Sequence, residues 1–167
     1  MRLIIMRHGK SDWDGPASSD HDRQLAGRGI KAARRMGVVL GRMGEAPDLV
    51  LTSSAIRAKR TAEIAHEAGD WGAPIRVHPE LYGTSPDGAL SVARSAPDGM
   101  ERVMLVGHEP TWSMLAYQLT GGRVMVKTAT VVGIDMAGSS WSRLPTSGGS
   151  IAYVLQPRLF EGWDDKS

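Results

Sequence analysis

The sequence predicts an α/β fold in which helices cover both faces of a mostly parallel sheet, a three-layer α/β/α sandwich. Short apolar runs alternate with segments whose apolar residues recur at helical spacing. Strands of a covered parallel sheet are buried on both faces, so continuous apolar runs are typical of them. Polar residues follow directly on three of these runs, at the strand ends where such sheets bind ligands.

The first half of the chain reads as strand, helix, strand, helix. The predicted elements are a strand at 3–6, a helix at 26–43, a strand at 49–51 and a helix at about 55–68. Several glycines interrupt the first helical pattern and weaken it. Thr52, Ser53 and Ser54 offer N-caps for the second helix.

The second half continues the alternation. The predicted elements are a short strand at 75–77, a helix ending near 95, a strand at 103–106, a helix after Glu109-Pro110, and strands at 130–134 and 151–155. Ser85, Pro86 and Asp87 predict a helix start, because they supply a cap, a proline at the first position and an acid in the first turn. Gly- and Ser-rich residues 138–150 predict a loop or hairpin. We expect a single domain over 1–167.

Composition excludes several functions. The 167 residues (18.0 kDa) include no cysteine, which rules out thiolate catalysis, cysteine-ligated zinc and iron–sulfur clusters. A net charge of +2 gives no nucleic-acid footprint. The apolar run at 3–6 is too short for a signal peptide or membrane helix. We therefore expect a cytoplasmic protein without nucleic-acid or membrane partners, and leave its oligomeric state open.

Arg7, His8 and Gly9 follow the first predicted strand. A histidine fixed by a buried strand can aim a neutral ring nitrogen at phosphorus and form a phosphohistidine. Its other ring nitrogen should then donate to a backbone carbonyl. Arg7 could clamp phosphoryl oxygens, and Gly9 would let the backbone approach the phosphate. A solvated turn is the alternative.

Two further segments could complete an anion site. Arg57 falls in the first turn of the helix after the second strand, where helix N-termini favour anions. His108 ends another strand and could hold a protonated imidazole against phosphoryl oxygens. The alternatives are a solvated basic helix, with Arg60 facing solvent, and a histidine that caps a helix.

Together these segments resemble the histidine phosphatase superfamily, the phosphoglycerate-mutase-like branch of α/β folds. The matching motifs are Arg7-His8-Gly9, the pattern SSxxRxxxTA starting at Ser53, and Gly107-His108. The resemblance spans residues 3–115. The short chain and the stretch Asp20–Gly29 look most like the SixA group of phosphohistidine phosphatases, although Arg23-Gln24-Leu25 stands where that group usually has Arg-Pro-Leu.

The resemblance implies a role for each matching residue. His8 is the nucleophile, and Arg7, Arg57 and His108 form the phosphate pocket. Two arginines and an imidazolium could neutralise a phosphoryl dianion, so we expect no metal and no cofactor. Trp13 is expected to line the substrate entrance.

The proton donor is assigned separately. Ester hydrolysis needs an acid for the departing oxygen, and the superfamily usually supplies it from the loop after a middle strand. Glu80 occupies that region and is the candidate; a surface carboxylate or a salt-bridge partner of Arg57 are the alternatives. The SixA group is commonly held to lack a standard donor, which suits a phosphohistidine substrate because imidazole leaves easily.

The sequence therefore predicts a metal-independent phosphatase acting on phosphohistidine in a protein. A general small-molecule phosphomonoesterase is the first alternative, and a mutase is disfavoured by the short chain. A non-catalytic phosphate-binding module on the same fold is the second alternative. It is disfavoured because the chain retains His8, Arg7, Arg57 and His108.

Overall fold

The computed structural model describes residues 1–163 and contains one six-stranded mixed sheet. The strands are β1 (Arg2–Arg7), β2 (Leu49–Ser53), β3 (Ile75–His78), β4 (Arg102–Gly107), β5 (Val131–Asp135) and β6 (Ser150–Leu155). The helices are α1 (Gly27–Arg42), α2 (Ile56–Gly69), α3 (Pro86–Arg94) and α4 (Thr111–Thr120). The predicted α/β class and alternation of elements are confirmed.

The strands lie in the order β3-β2-β4-β1-β5-β6. The first four run parallel, and β5 and β6 add antiparallel pairs at one side. Because β1, β2 and β4 are neighbours and parallel, their carboxyl ends meet at one edge of the sheet. Three polar segments of the sequence follow those ends.

Helices cover both faces, as the apolar runs predict. Along β1, Leu3 and Ile5 pack in the core beneath α3 and α4, while Ile4 and Met6 pack in the core beneath α1 and α2. All four side chains are fully buried. This alternation is the two-residue period of a strand that is covered on both sides.

The glycines of α1 permit its close packing on α2. A Cβ added at Gly37 would lie 2.1 Å from the carbonyl oxygen of Ala65, and one at Gly41 would lie 2.8 Å from that of Gly69. The glycines that weaken the helical pattern in the sequence are therefore contact points between two helices.

The helix starts agree with the sequence at α3 and differ at α2. Ser85 caps α3, its hydroxyl accepting the N–H of Gly88 at 3.2 Å. The prediction that Thr52, Ser53 or Ser54 caps α2 is wrong, because Ala55 occupies the N-cap position and no side chain caps the helix. Within residues 1–163, no helix is long and apolar enough to cross a membrane.

Candidate active site

A cavity of about 490 Å³ lies at the carboxyl ends of β1, β2 and β4. It is lined by Arg7, His8, Lys10, Ser11, Trp13, Asp20, Arg23, Arg57, Tyr82, Gly83, His108, Glu109 and Thr128. The three polar segments of the sequence thus meet in one place, as the rule for α/β sheets predicts.

His8 is placed directly after β1 and its ring is fixed by the backbone. Its Nδ1 lies 2.7 Å from the carbonyl oxygen of Gly9. A carbonyl can only accept, so Nδ1 carries the proton and Nε2 carries the lone pair. The predicted contact between the second ring nitrogen and a backbone carbonyl is confirmed.

The surroundings of His8 keep the ring neutral. Its pKa is lowered from 6.5 to about 3, mainly by burial and also by the nearby His108, Arg57 and Arg7, while the Gly9 carbonyl opposes the shift. Since only the neutral ring has a free lone pair, His8 is in the nucleophilic form throughout the physiological range.

Arg57 is the second residue of α2, and its side chain is buried beside His8. Its Nε donates to His8 Nε2 at 3.3 Å. Its terminal nitrogens donate to the backbone oxygen and to Oδ2 of Asp20, at 2.5 and 2.9 Å. Arg60, one turn away, is exposed to solvent as expected, and it pairs with Glu63.

His108 follows β4, and its ring centre lies 5.2 Å from that of His8. Its Nε2 lies 2.9 Å from Oγ of the fully buried Ser53, at the end of β2, which leaves Nδ1 for a ligand. Burial and then the charge of Arg57 lower its pKa to about 4. At neutral pH the free site therefore holds a neutral His108, not the expected imidazolium, and the charge of a bound phosphoryl dianion would favour its protonation.

Arg7 also lines the cavity and is half-buried. One terminal nitrogen donates to the carbonyl oxygen of Val126 at 3.1 Å. Its Nε is buried without a hydrogen-bond partner among the described residues. Burial lowers its pKa, while the nearby charge of Glu109 opposes the shift. Arg7 is therefore held by fewer hydrogen bonds than Arg57.

Gly9 does not line the cavity. Its N–H donates to Oγ1 of Thr61 at 2.9 Å, and Thr61 in turn donates to the backbone oxygen of Arg57. A Cβ at Gly9 would lie 2.6 Å from the carbonyl oxygen of Gly29. Gly9 is thus needed so that the loop can pack against the start of α1, a different reason from the phosphate approach predicted above.

Glu80 is separated from the other predicted site residues. Its carboxylate is 70% exposed, is absent from the cavity wall, and lies 3.7 Å from Nδ1 of His78. The salt-bridge partner of Arg57 is Asp20, so the alternative that paired Glu80 with Arg57 is wrong. Its role as a proton donor stays a prediction.

Two residues of the cavity, Asp20 and Tyr82, were not predicted from the sequence. The Asp20 carboxylate accepts from Arg57, from the Tyr82 hydroxyl at 2.9 Å and from Arg23 at 2.7 Å. Slight burial opposes them, but these contacts lower its pKa below the usual value, so Asp20 is ionised at neutral pH. The stretch Asp20–Gly29 was the signal that could have found it.

Trp13 was expected to line the substrate entrance, and it lies at the rim of the cavity. Trp13 lines the cavity and is 70% exposed, and the guanidinium of Arg23 stacks 3.5 Å from its ring centre. In residues 1–163, no group of three or more His, Asp or Glu side chains is arranged to hold a metal ion.

Comparisons with known proteins agree with this geometry. The model of the histidine phosphatase superfamily (branch 1) matches residues 3–84. An uncharacterized protein of Mycobacterium tuberculosis strain H37Rv is 39% identical over 152 residues, which cover 89% of this chain and 87% of that protein. The chain therefore belongs to the histidine phosphatase superfamily, and it is a phosphatase.

Solved structures show which phosphatases have a fold similar to that of this chain. A protein of Nakamurella multipartitia assigned as the phosphohistidine phosphatase SixA is 28% identical, with a TM-score of 0.79 over 93% of this chain and 95% of that one. The protein histidine phosphatase SixA in complex with tungstate is 24% identical, with a TM-score of 0.78 over 96% and 100% of the two chains. The chain has the fold of the SixA phosphatases.

Proposed function

We propose that this phosphatase transfers the phosphoryl group to His8 and acts on phosphohistidine in a protein. The observation that carries the proposal is the tautomer of His8. Its Nδ1 is held by the Gly9 carbonyl, and the lone pair of Nε2 belongs to a ring that stays neutral. A fixed, neutral imidazole is the form required of a phosphorus nucleophile.

The reaction proceeds in two steps. His8 Nε2 attacks phosphorus as the bond to the leaving group breaks, and the Gly9 carbonyl stabilises the positive charge that develops on the ring. Water then attacks the phosphorus, releasing phosphate and restoring neutral His8. Arg7, Arg57 and His108 offer donors to the phosphoryl oxygens in both steps, so no metal is required.

The carboxylates of the cavity favour a leaving group that needs little protonation. Asp20 is ionised and is held by Arg57, Arg23 and Tyr82. Glu109 accepts the N–H of Ser113 at 2.9 Å. Because neither is presented as a free acid, imidazole leaving from phosphohistidine suits this site better than an alkoxide leaving from an ester.

A side-by-side kinetic panel tests the proposal. The substrates are a protein carrying phosphohistidine, p-nitrophenyl phosphate and a sugar phosphate, each assayed in EDTA. We expect the phosphohistidine protein to give the highest kcat/KM and His8→Ala to abolish turnover of all three. A preference for the sugar phosphate would favour the general phosphomonoesterase, and activity that magnesium must restore would refute the metal-independent mechanism.

A further inference from the structure

A second groove, strongly basic, adjoins the active-site cavity. It has a volume of about 480 Å³ and is lined by Arg7, Lys10, Arg28, Ala32, Lys127, Thr128, Thr130, Gln156, Pro157 and Arg158. Three of these residues, Arg7, Lys10 and Thr128, also line the active-site cavity. The groove and the active-site cavity are therefore neighbours, which places the groove within reach of a protein substrate whose phosphoryl group is at His8.

All the charged side chains that line the groove are basic. Five of its ten lining residues are Arg or Lys, and none is Asp or Glu in the part of the chain that the structure describes. The protein as a whole has a net charge of only +2, so this concentration is local. Such a surface attracts anions and raises the rate at which an acidic partner associates.

We propose that this basic groove docks an acidic segment of the phosphorylated protein whose phosphohistidine enters the active site. The proposal rests on the proposed function and deepens it. Arg28, Lys127 and Arg158 are exposed and come from three separate parts of the fold: α1, the loop before β5 and the segment after β6. Cations spread over three elements suit an extended acidic chain better than one compact anion.

Matched charge reversals provide the test. The groove variant combines Arg28→Glu, Lys127→Glu and Arg158→Glu. The control variant combines Lys31→Glu, Arg34→Glu and Arg76→Glu, which are also exposed but line neither space. We expect the groove variant to raise KM for a phosphohistidine protein at least tenfold, with kcat within twofold, while KM for p-nitrophenyl phosphate changes less than twofold.

The control variant should change KM for the protein less than threefold. Equal losses in both variants would mean that overall charge acts, and equal losses on both substrates would mean that the groove belongs to the phosphoryl pocket. Either result overturns the proposal, as does an unchanged KM.

A binding assay that needs no turnover separates this proposal from the proposed function. Calorimetry with an unphosphorylated octaglutamate peptide at low salt should show binding to the wild type and at least tenfold weaker binding to the groove variant. If that holds while the phosphohistidine protein is not hydrolysed, the proposed function fails and the acidic docking site stands. If octaglutamate does not bind, or if inorganic triphosphate binds the groove in its place, the docking proposal is overturned.

Discussion

Arg57 and Arg7 flank the same histidine but are held in different ways. Arg57 is buried, and Asp20 and His8 accept from all three of its nitrogens. Arg7 donates one hydrogen bond to a backbone carbonyl and keeps its Nε unpaired. A phosphoryl group must therefore replace or share existing contacts at Arg57, whereas it adds new ones at Arg7. Only the Arg57 side is organised before the substrate binds.

Removing the organised arginine should have the largest effect. Arg57→Ala takes away a fixed donor to the phosphoryl group and the hydrogen bond that orients His8 Nε2. We expect kcat/KM to fall by at least ~3 kcal/mol of transition-state stabilisation, as for loss of a preorganised oxyanion donor. Steady-state kinetics on p-nitrophenyl phosphate measure it, and a near-normal kcat/KM would mean that Arg57 supports the structure of the cavity without acting on the phosphoryl group.

Substituting Arg7, which is held by fewer hydrogen bonds, should lower kcat/KM less than substituting Arg57. Arg7→Lys keeps the charge but loses the forked donors and the bond to Val126. We expect kcat/KM to fall by about 2 kcal/mol, roughly thirtyfold, the scale of one hydrogen bond to a charged group. A loss as large as that of Arg57→Ala would show that the two arginines are equally organised.

Neutral His8 also makes stability depend on pH. Its pKa is about 3 in the folded chain and about 6.5 unfolded, so between these values the unfolded chain binds the extra proton. The free energy of unfolding should fall as pH drops below 6.5, by up to ~1.4 kcal/mol per pH unit from this residue. Urea unfolding of the wild type and His8→Asn at pH 7 and 4.5 should show a smaller loss in the variant, and equal losses would contradict a buried neutral His8.

Asp20 should oppose anion binding on the Arg57 side. Asp20→Asn removes a negative charge beside the incoming phosphoryl group, so inorganic phosphate should inhibit the variant about fivefold more strongly, roughly 1 kcal/mol. Inhibition constants at fixed ionic strength measure the change. Weaker inhibition by phosphate would mean that Asp20 positions Arg57 for the substrate and does not compete with it.

Glu80 does not line the cavity, so its substitution should change the kinetics least. Glu80→Gln should leave p-nitrophenyl phosphate and phosphohistidine unchanged and slow at most an alkyl phosphate, because general-acid help grows with the basicity of the departing oxygen. Uniform slowing across the three substrates would place Glu80 in the structural support of the pocket.

The sequence was sufficient for the parts of the site that strands and helices fix. His8, Arg57 and His108 each follow a strand. Because the carboxyl ends of parallel strands meet at one edge of the sheet, predicting the strands was enough to predict that these residues lie close together. The tautomer of His8 was also predictable, because a catalytic imidazole commonly donates its second ring N–H to a backbone carbonyl.

The site residues that were not predicted from the sequence are brought into place by long-range contacts. Asp20 and Tyr82 meet across 62 residues of sequence, and Ser53 meets His108 across 55. No local pattern distinguishes such residues from turn and cap residues, and Ser53 was interpreted as a cap for that reason. The sequence predicted a protonated His108, whereas the ring is neutral in the free site. Its low pKa results from burial and from the charge of Arg57, which exist only in the folded site.

Trapping the phosphoenzyme tests the central claim most directly. Wild-type protein mixed with a phosphohistidine protein or p-nitrophenyl phosphate is quenched in alkali within one turnover and mapped by mass spectrometry. We expect an acid-labile, alkali-stable phosphoryl group on His8 that decays as phosphate appears, and none on His8→Ala. Full turnover without phosphorylated His8, or a phosphoryl group on another residue, would contradict it.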